Sequence, residues 1–171
     1  SPADVDSSKG KELAIVHEED AYAQTPQVAT EGSDKVPGMY WMSPKQDVIS
    51  SMNRMQRQKV ANFTVGRDNV GYVSFKVPVD LTSIDLDEIF GGIVVLETRS
   101  ATVYPNAAKK PPVGKGLNVP ATISLDQSWP RGRDKRPTID QKRLNKHIER
   151  LKKIPDTTFV DYNSETGVWK F

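Results

Sequence analysis

The stretch Lys110–Ala121, KPPVGKGLNVPA, constrains this chain more than any other. Pro111 and Pro112 fix φ and remove backbone donors, so the segment cannot run as a central strand or as a helix interior. Gly114 and Gly116 permit positive φ, and Asn118 can hydrogen-bond nearby backbone to close a turn. Such a segment is a rigid, shaped loop and not a linker.

Composition limits what can surround that loop. The chain has 171 residues and 36% apolar content, which suits one domain plus a tail. There is no cysteine, and His17 and His147 are the only imidazoles, so neither a disulfide framework nor a metal site is expected, and no cofactor motif is present. No run of eighteen apolar residues and no basic start followed by an apolar core occurs, so no membrane span or secretory signal is expected, and the chain reads as soluble and intracellular. From Ser1 to Val36, eight acidic residues face three lysines, a balance of −5, which leaves +7 for the rest of a chain whose net charge is +2. Residues 1–38 therefore read as a disordered acidic linker, with LAIVHEEDAYA as a possible docking peptide inside it.

Order is expected from Met39 onward. Ser43, Pro44 and Gln46 offer an N-cap, a first helical position and a capping-box partner, and Val48, Met52 and Met55 follow at helical spacing. This predicts one amphipathic helix ending before Asn62. The period then changes to two: NFTVGR and YVSFKV form a hairpin about Asp68–Gly71, with Val73, Phe75 and Val77 on one face. Ser83–Phe90 fits a helical turn closed by Gly91 and Gly92. Ile93–Leu96, Ala101–Tyr104 and Ala121–Leu125 are further strands, Ile139–Ile154 is a helix with Leu144, Ile148 and Leu151 inward, and Thr158–Tyr162 with Val168–Phe171 is a closing hairpin. Helix, strands, helix and hairpin in that order argue for an α+β fold.

Four motifs, YWMSP at Tyr40–Pro44, NFTVGR at Asn62–Arg67, the KPPVGKGLN loop and ETGVWKF at Glu165–Phe171, occur in an order that resembles the autoproteolytic C-terminal domain of the FG-repeat nucleoporins, in a fungal-type member. The resemblance covers 39–171 and implies a mostly antiparallel sheet of about six strands flanked by helices, here truncated at its last strand. It also implies a place in the nuclear pore complex at the nuclear envelope. There the domain anchors an FG-repeat protein to scaffold nucleoporins, through the N-terminal segment of a scaffold subunit or a β-propeller loop, in support of protein and mRNA transport. The family cleaves itself at a His-Phe-Ser sequence, where the serine attacks the preceding carbonyl with help from the histidine. No His-Phe-Ser occurs in this chain, so no catalytic residue is assigned and the chain is expected to be inactive as written.

The expected partner site is a groove beside the last hairpin, where a missing strand would leave backbone groups unpaired. Arg67, Lys115 and Asn118 are its candidate polar contacts, and Trp169 and Phe171 its candidate apolar floor; plain core packing is the competing assignment for those two aromatics. Other chemistry is poorly supported. Asp85, Asp87 and Glu88 lack calcium-loop spacing, GKG lacks the rest of a phosphate loop, and His147 reads as a surface or boundary residue. A self-processing protease fragment is one alternative class. Nucleic-acid binding is another, carried by Arg131, Arg133, Lys135 and Arg136 with Lys142, Arg143, Lys146, Arg150, Lys152 and Lys153, although aromatics are not interleaved with these cations.

Overall fold

The computed structural model describes residues 34–171. Among the described residues, eight strands and three α-helices follow in order: β1 (Tyr40–Ser43), α1 (Gln46–Ser50), α2 (Arg54–Arg57), β2 (Thr64–Arg67), β3 (Gly71–Phe75), β4 (Val94–Glu97), β5 (Ser100–Val103), β6 (Ala121–Leu125), α3 (Gln141–Lys152), β7 (Asp161–Asn163) and β8 (Val168–Lys170). Six strands form one antiparallel sheet in the order β1-β2-β3-β6-β8-β7, while β4 and β5 form a separate hairpin. The α+β expectation and the sheet of six are both met.

Alternation explains which face of the sheet is buried. Met42, Val65, Val73 and Ile123 share one cross-strand row, and Leu125 and Trp169 share the next, all of them buried. The opposite face carries the row Trp41, Gly66, Tyr72, Ser124, Lys170 and Asp161. Over the apolar face lies the β4–β5 hairpin, against β2 and β6. Polar ties fix it there: Leu96 N–H donates to the Tyr40 hydroxyl at 3.0 Å, and Arg67 Nη1 donates to the Leu96 carbonyl at 2.8 Å.

Several local expectations are corrected by pairing. The single helix after Ser43 is two short ones, because Ser43 is held in β1 opposite Thr64 and Asn53 starts a fresh capping box with Gln56. Ile49 is its buried residue, whereas Val48 and Met55 are exposed. Val77 is exposed as well, since β3 ends at Phe75 before Pro78. Strands β4 and β5 do not join the main sheet. The last strand is not an open edge: β8 lies between β6 and β7, and Phe171 exchanges both backbone hydrogen bonds with Ile123, at 3.0 and 2.8 Å. The aperiodic linker expected to reach Gly38 gives way to firm contacts at Asp34, while its part from 1 to 33, with the docking peptide and His17, lies outside the described residues. Asp34 meets Arg99 and Arg131, Lys35 N–H donates to Gln127 Oε1 at 2.6 Å, and Gly38 N–H donates to the Asp68 carbonyl at 2.8 Å.

Candidate partner-binding surface

The shaped loop closes on itself. Asn118 Nδ2 donates to the Pro111 carbonyl at 2.7 Å, its carbonyl accepts from Gly114 N–H at 2.7 Å, and its own N–H donates to the Lys115 carbonyl at 2.9 Å. Asn118 is buried, so it is the clasp of the loop and not a surface contact. The loop leans on the end of β5, where Tyr104 accepts Leu117 N–H at 3.1 Å. Burial pushes the Tyr104 phenol up, so it stays neutral and keeps that role. Gly116, at φ +55°, sits so close that an added Cβ would lie 2.9 Å from the Tyr104 hydroxyl oxygen; glycine is required there on two counts.

What the clasped loop presents outward is Lys115. It stands on one wall of a two-part groove of about 330 and 440 Å³, whose parts share Glu88, Ile93, Tyr104 and Lys109. Lys109 and Lys115 supply cations on the loop side, and Asp85, Asp87 and Glu88 supply carboxylates from the 3-10 turn opposite. The Asp85 side chain is partly spent on capping that turn, through Asp87 N–H at 2.9 Å. Between the charged walls lie Ile84, Phe90, Ile93 and the Gly91–Gly92 backbone. A groove with opposite charges on its two sides and an apolar bed suits an extended peptide, whose backbone and alternating side chains can satisfy all three.

The remaining predicted contacts do not converge on this groove. Arg67 is consumed internally: Nε donates to the Gly38 carbonyl at 2.9 Å, Nη1 reaches Leu96 and the Glu97 carboxylate at 3.1 Å, and the guanidinium lies 4.7 Å from the Tyr40 ring centroid. Trp169 and Phe171 are wholly buried and stack with centroids 4.1 Å apart. They are the floor of the core, as the competing assignment had it. His147 is also buried, against the expectation of a boundary residue; its Nε2 pairs with the Ser128 carbonyl at 2.5 Å and its ring meets Tyr162 edge-on. Sequence reading missed Lys109 and the carboxylates as groove walls. Proximity of both to the glycine pair and the rigid loop was the available signal.

The family model described as Nucleoporin2, the Nup98-96 autopeptidase S59, matches residues 37–171. The chain belongs to this nucleoporin family. It is 65% identical over 171 residues to nucleoporin NUP145 of Chaetomium thermophilum, covering 100% of this chain. This chain spans only 9% of the length of that relative. Among solved structures, the Nup145N APD of Chaetomium thermophilum, in a mutant form fused to Nup145C N, superposes with a TM-score of 0.75 at 70% identity, covering 78% of this chain and 92% of that one. A chain of the yeast heterotrimeric Nup82-Nup159-Nup116 nucleoporin complex superposes with a TM-score of 0.73 at 32% identity, over 83% of this chain and 94% of the other. These matches agree with the mostly antiparallel fold and with nucleoporin membership.

Proposed function

We propose that this domain anchors an FG-repeat nucleoporin to scaffold nucleoporins of the nuclear pore complex, and so holds a transport-active chain at the nuclear envelope in support of protein and mRNA traffic. The observation that carries this reading is the groove between the clasped loop and the acidic turn. Lys109 and Lys115 face Asp85, Asp87 and Glu88 across an apolar bed. The partner is an extended segment of a scaffold nucleoporin, from its N-terminal region or from a β-propeller loop. Nup82 and Nup159, which accompany a relative in its complex, supply the first proteins to try. In this reading Lys115 is a contact residue, Asn118 shapes the wall that carries it, and Arg67, Trp169 and Phe171 hold the scaffold beneath.

The test is a titration of the chain against the recombinant Nup82 and Nup145C counterparts of the same organism. One partner should bind with one-to-one stoichiometry. Lys109→Glu with Lys115→Glu should weaken that complex by more than about 1 kcal/mol, as buried charged contacts do. Unchanged affinity in a correctly folded double variant rejects the groove. Nucleic-acid binding that falls steeply with salt, without any scaffold partner, would reassign the domain to its basic helix.

A further inference from the structure

The positive charge of this molecule is concentrated to an unusual degree. Residues 131–153 hold ten Lys and Arg against Asp134, Asp140 and Glu149, a balance of +7, while residues 34–171 as a whole also come to +7. Everything else in the described residues is therefore neutral on balance. Arg133 and Lys135 on the loop, and Lys142, Lys146 and Lys153 on and just after α3, are exposed. The helix is seated on that loop's base, where His147 meets Ser128, so loop and helix adjoin. Residues 1–33 carry seven acidic residues against Lys9 and Lys11, a balance of −5.

The chain enters the described structure at this same basic run. Asp34, the last acidic residue of the N-terminal stretch, has its carboxylate held by Arg131 at 2.7 Å and by Arg99 at 2.8 Å. Burial alone would raise the Asp34 carboxyl; the two arginines outweigh it and hold it below its ordinary value. The entry is pinned further by Lys35 to Gln127 and by Asn69 Nδ2 to the Val36 carbonyl at 3.0 Å.

We propose that the acidic segment 1–33 docks in cis on the basic face of residues 131–153, extending the contact that Asp34 makes with Arg131. Reach is no obstacle, since 33 residues can span on the order of 100 Å and a helix of twelve is about 18 Å long. Tethering makes the encounter intramolecular, at effective concentrations on the order of millimolar, which compensates for the weakness of exposed ion pairs. No Phe, Tyr or Trp falls within 131–153 to offer bases a stacking partner, so peptide carboxylates fit this run better than nucleobases do. The consequence is a surface screened from outside polyanions until salt or a competing anion displaces the segment. This inference does not depend on the groove described above.

The chain has no cysteine, so a single nitroxide can be placed on the full chain at Ala21→Cys. Amide signals of Lys142–Lys153 should broaden at low salt and recover near 1 M salt, where the Debye length falls to about 3 Å. They should also recover when Glu18, Glu19 and Asp20 are changed to Gln, Gln and Asn. Broadening absent from this face, spread evenly over the domain, or insensitive to both salt and neutralisation overturns the proposal. As an independent reading, replacing all seven acids of 1–33 by amides in the full chain should tighten heparin binding by about five-fold or more at low salt. Equal heparin affinity would also overturn it.

Discussion

The loop Lys110–Ala121 and the terminal strand β8 look alike in sequence, each a short run of distinctive residues that suggests a contact surface, yet the fold uses them in opposite ways. Strand β8 is flanked on both sides by paired strands, and its Trp169 and the Phe171 that follows it lie entirely in the core. The loop leans on Tyr104 through Gly116 and Leu117, its Asn118 clasp turns inward, and Lys115 is left exposed. Residue type thus marks an element as important without saying to whom. A residue flanked by neighbours on both sides stabilises; one flanked on a single side can recognise.

The largest effect should come from the core side of this contrast. Trp169→Ala removes a fully buried indole that stacks on Phe171, and should cost about 3–5 kcal/mol, read as a fall in the denaturation midpoint. A loss under about 1 kcal/mol would mean that β8 is a surface after all.

Next comes acid sensitivity at the same end of the sheet. Burial lowers the His147 imidazole to about 4, the hydrogen bond to Ser128 opposing this only in part. Its folded-state value thus lies below the ordinary 6.5, so the stability it allows is complete above pH 6.5 and is lost as pH falls through about 4. The loss should approach about 3 kcal/mol, and His147→Gln should flatten the decline of thermal midpoint between those two pH values. An equally steep decline in the variant would place the sensitivity elsewhere.

Within the loop, Gly116→Val should cost about 1–3 kcal/mol, from positive φ and from the clash with Tyr104. Gly114 has φ +90° but nothing within 4 Å of an added Cβ, so its substitution should cost the backbone strain alone. Equal penalties at the two positions would show that the Tyr104 wall does not shape the loop. The smallest effect on stability belongs to Lys115→Glu, which should fall within about 0.5 kcal/mol of the parent because the side chain is exposed.

Much of the fold was legible because burial and period coincide. Alternation in β3 and β6, the charged helix from Gln141, and the glycine turn between β7 and β8 all announce themselves. Strand β1 did not, because Ser43, Pro44 and Gln46 read as a helix start, and its identity comes from pairing Tyr40–Ser43 with β2. The helix stripe at Val48, Met52 and Met55 failed because Asn53 and Gln56 cap a second helix, and the first then turns Ile49 inward. At the site, the loop was legible but its partner wall was not. The acidic turn at Leu86–Glu88 is about 30 residues from Lys115, and only the way β5 and Tyr104 bring the two together makes a groove of them. Arg67 misled for a related reason: a conspicuous cation in a strand motif was already engaged by Gly38, Leu96 and Glu97.

In the proposed function the outward side of the loop recognises a partner while the core beneath it only supports. Isothermal titration of the full chain and of the Lys109→Glu, Lys115→Glu double variant against the scaffold nucleoporin that binds it tests this directly, with thermal melting run on the same samples. The expected result is a one-to-one complex weakened at least about five-fold in the variant, a loss of about 1 kcal/mol, at an unchanged melting midpoint. Identical affinities for the two proteins would contradict it.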